Sequence, residues 1–213
     1  MPSAGMRIGI PISFGLLAAG CVMRPPSVGE RGPQASSEAA EAAYEVTIAK
    51  FSDRGESYNQ LDDRIFCAAT YQSWAFREAR VQRLASFQSR PAEQVLNTLE
   101  QERTAFDGYY EFFFGAHVSD FHFNDFDKPE SIWRLSMITE SSQSQPLSIQ
   151  RVGRADLNMR AIYPYMDEFW VGYWVRFPRN APNGSPLVMP GTTRVKLRVA
   201  SSLGRVDMLF PLE

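Results

Sequence analysis

Only two cysteines, Cys21 and Cys67, occur in 213 residues. That excludes a small disulfide-stapled scaffold. Charge of one sign is not in excess either, with 22 Lys and Arg against 24 Asp and Glu. A nucleic-acid partner, which needs a basic patch, is not expected. The N-terminal apolar run Ile8–Ala19 is too short to span a bilayer. As a helix it rises about 18 Å, against a hydrocarbon core of roughly 30 Å. No Gly-x-Ser-x-Gly, helical His-x-x-x-His spacing, internal repeat or low-complexity block is present. What is present is 44% hydrophobic residues and a length that suits one domain, so a real core can form.

The apolar run closes on Leu16-Leu17-Ala18-Ala19-Gly20-Cys21, with Arg7 before it. Small residues directly before a cysteine resemble the signal of bacterial lipoproteins. The resemblance covers about the first 21 residues. It departs from the commonest pattern at Ala18, where Leu is usual. It implies that Leu17, Ala18, Ala19 and Gly20 form the cleavage box, that residues 1–20 are removed, and that Cys21 carries the lipid. The other reading is an ordinary secretory signal cut between Gly15 and Gly20. Cleavage before Cys21 leaves 213 − 20 = 193 residues and a charge of 21 − 24 = −3. Val22 stands where an Asp commonly retains a Gram-negative lipoprotein in the inner membrane. The periplasmic face of the outer membrane is therefore the expected location; a Gram-positive source would change it. With Cys21 acylated, Cys67 has no partner and reads as an inert, buried small residue.

Residues 21–43 contain Pro25, Pro26, Gly29, Gly32 and Pro33 and few large apolar side chains. They read as a flexible tether spanning about 25 Å, with Glu38–Ala43 able to begin a helical turn. Residues 44–213 read as one domain. Tyr44, Val46 and Ile48 alternate with Glu45, Thr47 and Ala49, which predicts a half-buried strand. Arg54-Gly55-Glu56 predicts a turn, and Arg64–Tyr71 a strand apolar on both faces. The period then changes. Trp74–Gln88 and Pro91–Phe106 predict two helices, a helical insertion spanning about 74–107, packed through Leu84, Leu96 and Leu99. Leu96→Ala is expected to cost about 2–5 kcal/mol if that face is buried. Arg77, Glu78, Arg80, Arg83, Glu100, Glu102 and Arg103 read as a solvated face.

Strand patterns resume at Tyr109–Val118, Ser131–Ile138, Leu147–Val152, Leu157–Tyr163 and Phe169–Phe177. Asn180–Gly191 is a Pro/Gly-rich loop. Arg194–Ala200 and Arg205–Phe210 predict a hairpin whose paired residue numbers sum to 405. In that register Val199 meets Val206, Leu197 meets Met208, Val195 meets Phe210 and Arg198 meets Asp207. The expected fold class is mainly β, an antiparallel sandwich loosely resembling immunoglobulin-like domains, with a two-helix insertion after the second strand. The alternative is an α+β domain with helices on one face of an open sheet.

Chemistry-bearing residues concentrate in His117–Asp127, which holds both histidines and three acids. If that segment is extended, Asp120, His122 and Asn124 share a face and a divalent metal is conceivable. The five-residue offset of the histidines suits neither a helix nor a strand face, so the segment reads as an edge strand and its turn. No metal, cofactor or catalytic residue is assigned. Trp170 and Trp174, with Gly172 between them, could form a sugar-stacking platform or pack beneath the helices. The basic row Arg194, Lys196, Arg198 reads as a solvated outer face. The functional expectation is a lipid-anchored envelope module with an envelope protein partner. The alternatives are a glycan- or peptidoglycan-binding lipoprotein and a metal-dependent enzyme using His117–Asp127.

Mass spectrometry of the membrane fraction is expected to find acylated Cys21 as the mature N-terminus. Cys21→Ser should release the protein from the membrane; undiminished attachment would refute the anchor.

Overall fold

Ser37 opens the first helix, its hydroxyl accepting from the Ala40 amide. Helix α1 runs Glu38–Phe51, with Glu38 and Glu41 in its first turn and Lys50 in its last, as the helix dipole favours. Its buried residues are Glu41, Tyr44, Ile48 and Phe51, a stripe with helical spacing. The strand expected at Tyr44–Ala49 is therefore corrected. Tyr44 and Ile48 also satisfy a four-residue repeat, and Val46, which should have shared their face, is 71% exposed. Residues 38–43, read as the end of the tether, are the first turns of this helix. The computed structural model describes residues 37–59 and 62–212. The signal-type stretch Leu17–Cys21 lies outside them.

Strands β1 (Ser52–Asn59) and β2 (Asp62–Tyr71) pair antiparallel. The turn expected at Arg54–Glu56 is instead the middle of β1. A Cβ on Gly55 would sit 2.3 Å from Val206 Cγ1, so this glycine permits a close approach of backbone rather than a bend. Helices α2 (Trp74–Gln88) and α3 (Ala92–Gly108) follow, inserted between β2 and β3 (Tyr109–Val118) as expected. Ser73 caps α2 by accepting from the Phe76 amide at 3.1 Å. Then come β4 (Arg134–Ile138), β5 (Gln143–Ser144), β6 (Ser148–Arg154), α4 (Leu157–Ile162), β7 (Val171–Pro178), β8 (Arg194–Ser201) and β9 (Gly204–Pro211). Helix α4 replaces the strand expected at Leu157–Tyr163. The Asp156 carboxylate accepts from the Met159 amide at 2.7 Å, an N-cap that a period-two reading of the apolar residues overlooks.

The strands form two antiparallel sheets, ordered β1-β2-β3-β7-β6 and β5-β4-β8-β9. With four α-helices beside them among the described residues, the fold is α+β. The β8–β9 hairpin has the expected register, Val199 opposite Val206, Leu197 opposite Met208 and Val195 opposite Phe210. Arg198 binds Asp207 through two hydrogen bonds, 2.7 and 2.9 Å, and holds that carboxyl low, at about 2.

Period two in β3 and β7 separates two unlike interiors. One face carries Phe112, Phe114, Ala116, Tyr173, Val175 and Phe177, all fully buried. It meets the second sheet, with the Phe112 and Phe210 rings 5.1 Å apart. The other face carries Glu111, Phe113, Gly115, Gly172 and Trp174 and meets the helices. Phe113 stacks on Tyr163 at 3.8 Å. A Cβ on Gly172 would stand 2.8 Å from Phe113 and 3.0 Å from Met159 Sδ, so the glycine is needed for this packing.

The helical side of the sheet is held by charge, which corrects the solvated face expected of α2. Arg77, Arg80 and Arg83 recur every third residue and point inward. Arg77 is 1% exposed. It donates to the Gln72 carbonyl at 2.9 Å, to Glu111 Oε2 at 2.8 Å, and to Glu102 of α3. Glu111 also accepts from Arg176 of β7 at 2.7 Å. Arg80 pairs with Glu102 at 2.6 Å, and Arg83 pairs with buried Glu41 of α1 at 2.7 Å. Because Glu102 must reach Arg77 and Arg80, α3 turns Val95, Leu99, Glu102 and Phe106 inward. Leu96, one residue and about 100° round the helix, is left 66% exposed. Leu96, expected to be buried, therefore faces solvent, while Val95 and Leu99 pack against Val81 and Ala85 of α2. Chemical denaturation is expected to show less than about 0.5 kcal/mol lost in Leu96→Ala. Glu111→Ala should lose about 3–5 kcal/mol, because it strands Arg77 and Arg176 beside a depleted partner set.

Candidate functional site

The segment Ser119–Ser131 follows β3 and contains most of the chemistry-bearing cluster. Asp120 shapes its start. The carboxylate accepts from the His122 amide at 3.1 Å and lies 2.9 Å from His122 Nδ1, closing a 3₁₀ turn over Phe121–Phe123. This contact with His122 holds the Asp120 carboxyl below its ordinary value. A turn at this point scatters the face that Asp120, His122 and Asn124 would share in a strand, so that expectation is corrected.

Two residues tie the segment to the core. Asn124 is buried. Its Nδ2 donates to the Ala116 carbonyl at 3.1 Å, its Oδ1 accepts from the Tyr173 hydroxyl at 2.9 Å, and its backbone carbonyl accepts from Arg151 at 2.8 Å. Phe126 packs among Phe114, Tyr173 and Trp133, at 5.0, 5.4 and 5.8 Å between ring centroids. Burial raises the Tyr173 hydroxyl well above its usual range, so it serves as a neutral donor.

The histidines stand in different surroundings. His117 stacks on Phe66 at 6.4 Å, whereas the His122 side chain is 94% exposed against Asp120. Among the described residues, no three His, Cys, Asp or Glu side chains converge as a metal-ligand set. Cys67 is buried against the Gly55 carbonyl, and burial, reinforced by Asp53, pushes its thiol up to about 12. It is therefore a poor nucleophile at neutral pH. Trp174 sets its edge on Phe113 at 5.1 Å and lies under the Arg80 guanidinium at 5.6 Å. Trp170 packs against Gly115. Both tryptophans are half-buried on the helical face and do not make an open platform.

Two surface features adjoin the segment. One is an open groove of about 500 Å³ between β4 and β6, lined by Phe126, Asp127, Trp133, Arg134, Gln145 and Leu147. Trp133 Nε1 and Asp127 Oδ1 are buried there without a hydrogen-bond partner among the described residues. Arg151 stands 3.9 Å from that carboxylate oxygen. The other is the set of loops at one end of the larger sheet. Ala116 pairs with Val171 and Val171 with Arg154, so the chain beyond those positions gathers at that end. Phe121, Phe123, Leu157 and Phe169 are there, 47, 36, 77 and 62% exposed. Sequence reasoning found the segment through its histidines but missed its exposed phenylalanines. Their alternation with polar residues looks the same in an edge strand as in a surface turn.

No family model matches the chain, and it matches neither the curated proteins nor the solved structures.

Asn124→Ala removes the side-chain donor to the Ala116 carbonyl and one of the two acceptors of the Tyr173 hydroxyl, the Asn124 backbone carbonyl remaining as the other. The expected outcome is a stability loss of about 1–3 kcal/mol. Amide exchange should accelerate across residues 119–131 while the β8–β9 hairpin stays protected. Unchanged exchange in that segment would show that Phe126 alone holds it.

Proposed function

We propose that the protein is a lipid-anchored binding or assembly module of the cell envelope, without catalytic activity, on the periplasmic face of the outer membrane. Its two sheets are read as a sandwich of loosely immunoglobulin-like layout, extended by the helical layer. The anchoring part of the proposal rests on Leu17–Gly20 and Cys21. The binding part rests on one observation. The groups best suited to chemistry are engaged in holding the fold, while four large apolar side chains stand exposed on loops at one end of the sheet. Glu41, Glu102 and Glu111 answer Arg77, Arg80, Arg83 and Arg176. Phe121, Phe123, Leu157 and Phe169 answer nothing comparable, and clustered exposed apolar residues are the usual mark of an interaction surface.

The groove favours a second reading, glycan binding, on different residues from those the sequence suggested. A sugar hydroxyl can accept from an indole N–H and donate to a carboxylate. Asp127 presents a partly exposed carboxylate there, held by a long 3.9 Å ion pair with Arg151, whereas the Trp133 indole N–H is buried out of a sugar's reach.

Pull-down of the acylated full-length protein from native membranes separates the readings. A saturable, stoichiometric protein partner is the expected result. Recovery of glycan fragments alone, lost in Asp127→Asn, would transfer the assignment to the groove. One equivalent of zinc that survives dialysis and is lost in His117→Ala/His122→Ala would instead revive a metal-dependent activity.

A further inference from the structure

The loop end of the larger sheet has a definite electrostatic character. On the same segments as Phe121, Phe123, Leu157 and Phe169 lie Asp120, Asp156, Asp167 and Glu168. Asp120 is engaged by His122, and Asp156 and Asp167 accept backbone amides, from Met159 and Phe169. Among the described residues, no Lys or Arg forms an ion pair with any of the four. The cations on these segments are exposed Lys128, Arg154, whose guanidinium lies 5.2 Å over the Phe121 ring, and Arg160, whose Nε is buried; against them the same segments carry Asp120, Asp125, Asp127, Glu130, Asp156, Asp167 and Glu168. These segments thus carry four exposed apolar side chains and an excess of negative charge.

We infer that this end is a docking surface for a basic, amphipathic segment of a protein partner. Phe121, Phe123, Leu157 and Phe169 take the apolar face of that segment, and Asp156, Asp167 and Glu168 face its Lys and Arg side chains. Aromatic anchors within a polar rim are the usual anatomy of a protein interface. The sign of the charge decides against the other occupants. An anionic lipid surface attracts basic residues, and this surface would be repelled by it. A second copy of the same end would set like charges against each other. The charge also predicts association that weakens as salt screens it. The inference rests on the binding-module reading and is independent of the lipid anchor.

The test is titration of the full-length protein with a synthetic Leu/Lys amphipathic helix, with a Leu/Glu helix of the same pattern as control. Saturable, salt-sensitive binding of the Leu/Lys peptide is expected, with little binding of the Leu/Glu peptide. Phe121→Ser and Phe169→Ser should each weaken it by about tenfold or more. Leu96→Ser, an equally exposed position on α3, should not. Glu168→Lys, which touches no core residue, should weaken it at low salt and less so at high salt. Equal binding of both peptides, no saturable binding, or equal effects at Leu96 and Phe121 would overturn the inference. Binding to anionic or zwitterionic phospholipid vesicles that is lost in Phe121→Ser would also overturn it, in favour of a membrane. A dimer by sedimentation that is lost in Phe121→Ser would do so in favour of self-association. Failure is distinguishable from failure of the broader reading. A native partner captured undiminished by Phe121→Ser and Phe169→Ser would refute this surface and leave the module reading standing.

Discussion

Glu111 is the point at which the helical layer and the larger sheet are joined. It lies on β3, is 5% exposed, and accepts from Arg77 of α2 and Arg176 of β7 with its two oxygens. Arg77 in turn reaches Glu102 of α3 and the carbonyl of Gln72. A buried carboxylate needs every lone pair answered, because desolvation costs several kcal/mol for each unpaired ion. Here the answers come from two elements, α2 and β7, and Arg77 brings in α3 through Glu102, so the position of each helix is a condition for the other. Arg83 extends the same logic to α1 through Glu41, and Arg80 ties α2 to α3 a second time. Such a network adds little net stability over a well-packed apolar core. Its contribution is to make one arrangement of the helices far better than its neighbours.

The opposite face of that sheet works by a different principle. Phe112, Phe114, Val175 and Phe177 meet Leu197, Met208 and Phe210 in an aromatic-rich interior. Shape selects the packing there, and Gly55 matters because it lets β1 approach β9. Segment 119–131 sits at the boundary between these regions. Asn124 and Phe126 point inward, Asp125 and Asp127 beside them are half-buried, and Phe121, His122 and Phe123 are left facing outward. The exposed Phe121 and Phe123, and the groove beside Trp133, are consequences of that anchoring.

Much of the topology was legible because local patterns and tertiary needs agreed. The β8–β9 hairpin is the clearest case. Its alternation leaves a single buried face per strand, and the Arg198–Asp207 pair falls on the outer side of the same register. The helical insertion was legible from its change of period. Two elements were misread for a common reason. Tyr44–Ala49 and Leu157–Tyr163 are short enough for period two and period 3.6 to fit the same apolar residues, and the N-caps at Ser37 and Asp156 decided between them. The candidate site was found only as a stretch of sequence. Its histidines drew attention, but its geometry depends on the hydrogen bonds of Asn124 to Ala116 and Tyr173, which no spacing reveals.

By itself the sequence determined where apolar and polar residues alternate, hence most strands, the two inserted helices and the hairpin register, because these follow from side-chain periodicity along the backbone. It also carries the stretch Leu17–Cys21, on which the proposed lipid anchor rests. Only the tertiary structure decided that Arg77, Arg80 and Arg83 point inward, that Leu96 rather than Val95 faces solvent, and that Trp170 and Trp174 are covered. A charged residue on an amphipathic helix has the same local spacing whether it faces water or a buried carboxylate. The choice depends on where Glu41, Glu102 and Glu111 arrive from α1, α3 and β3, and that is a property of the assembled fold.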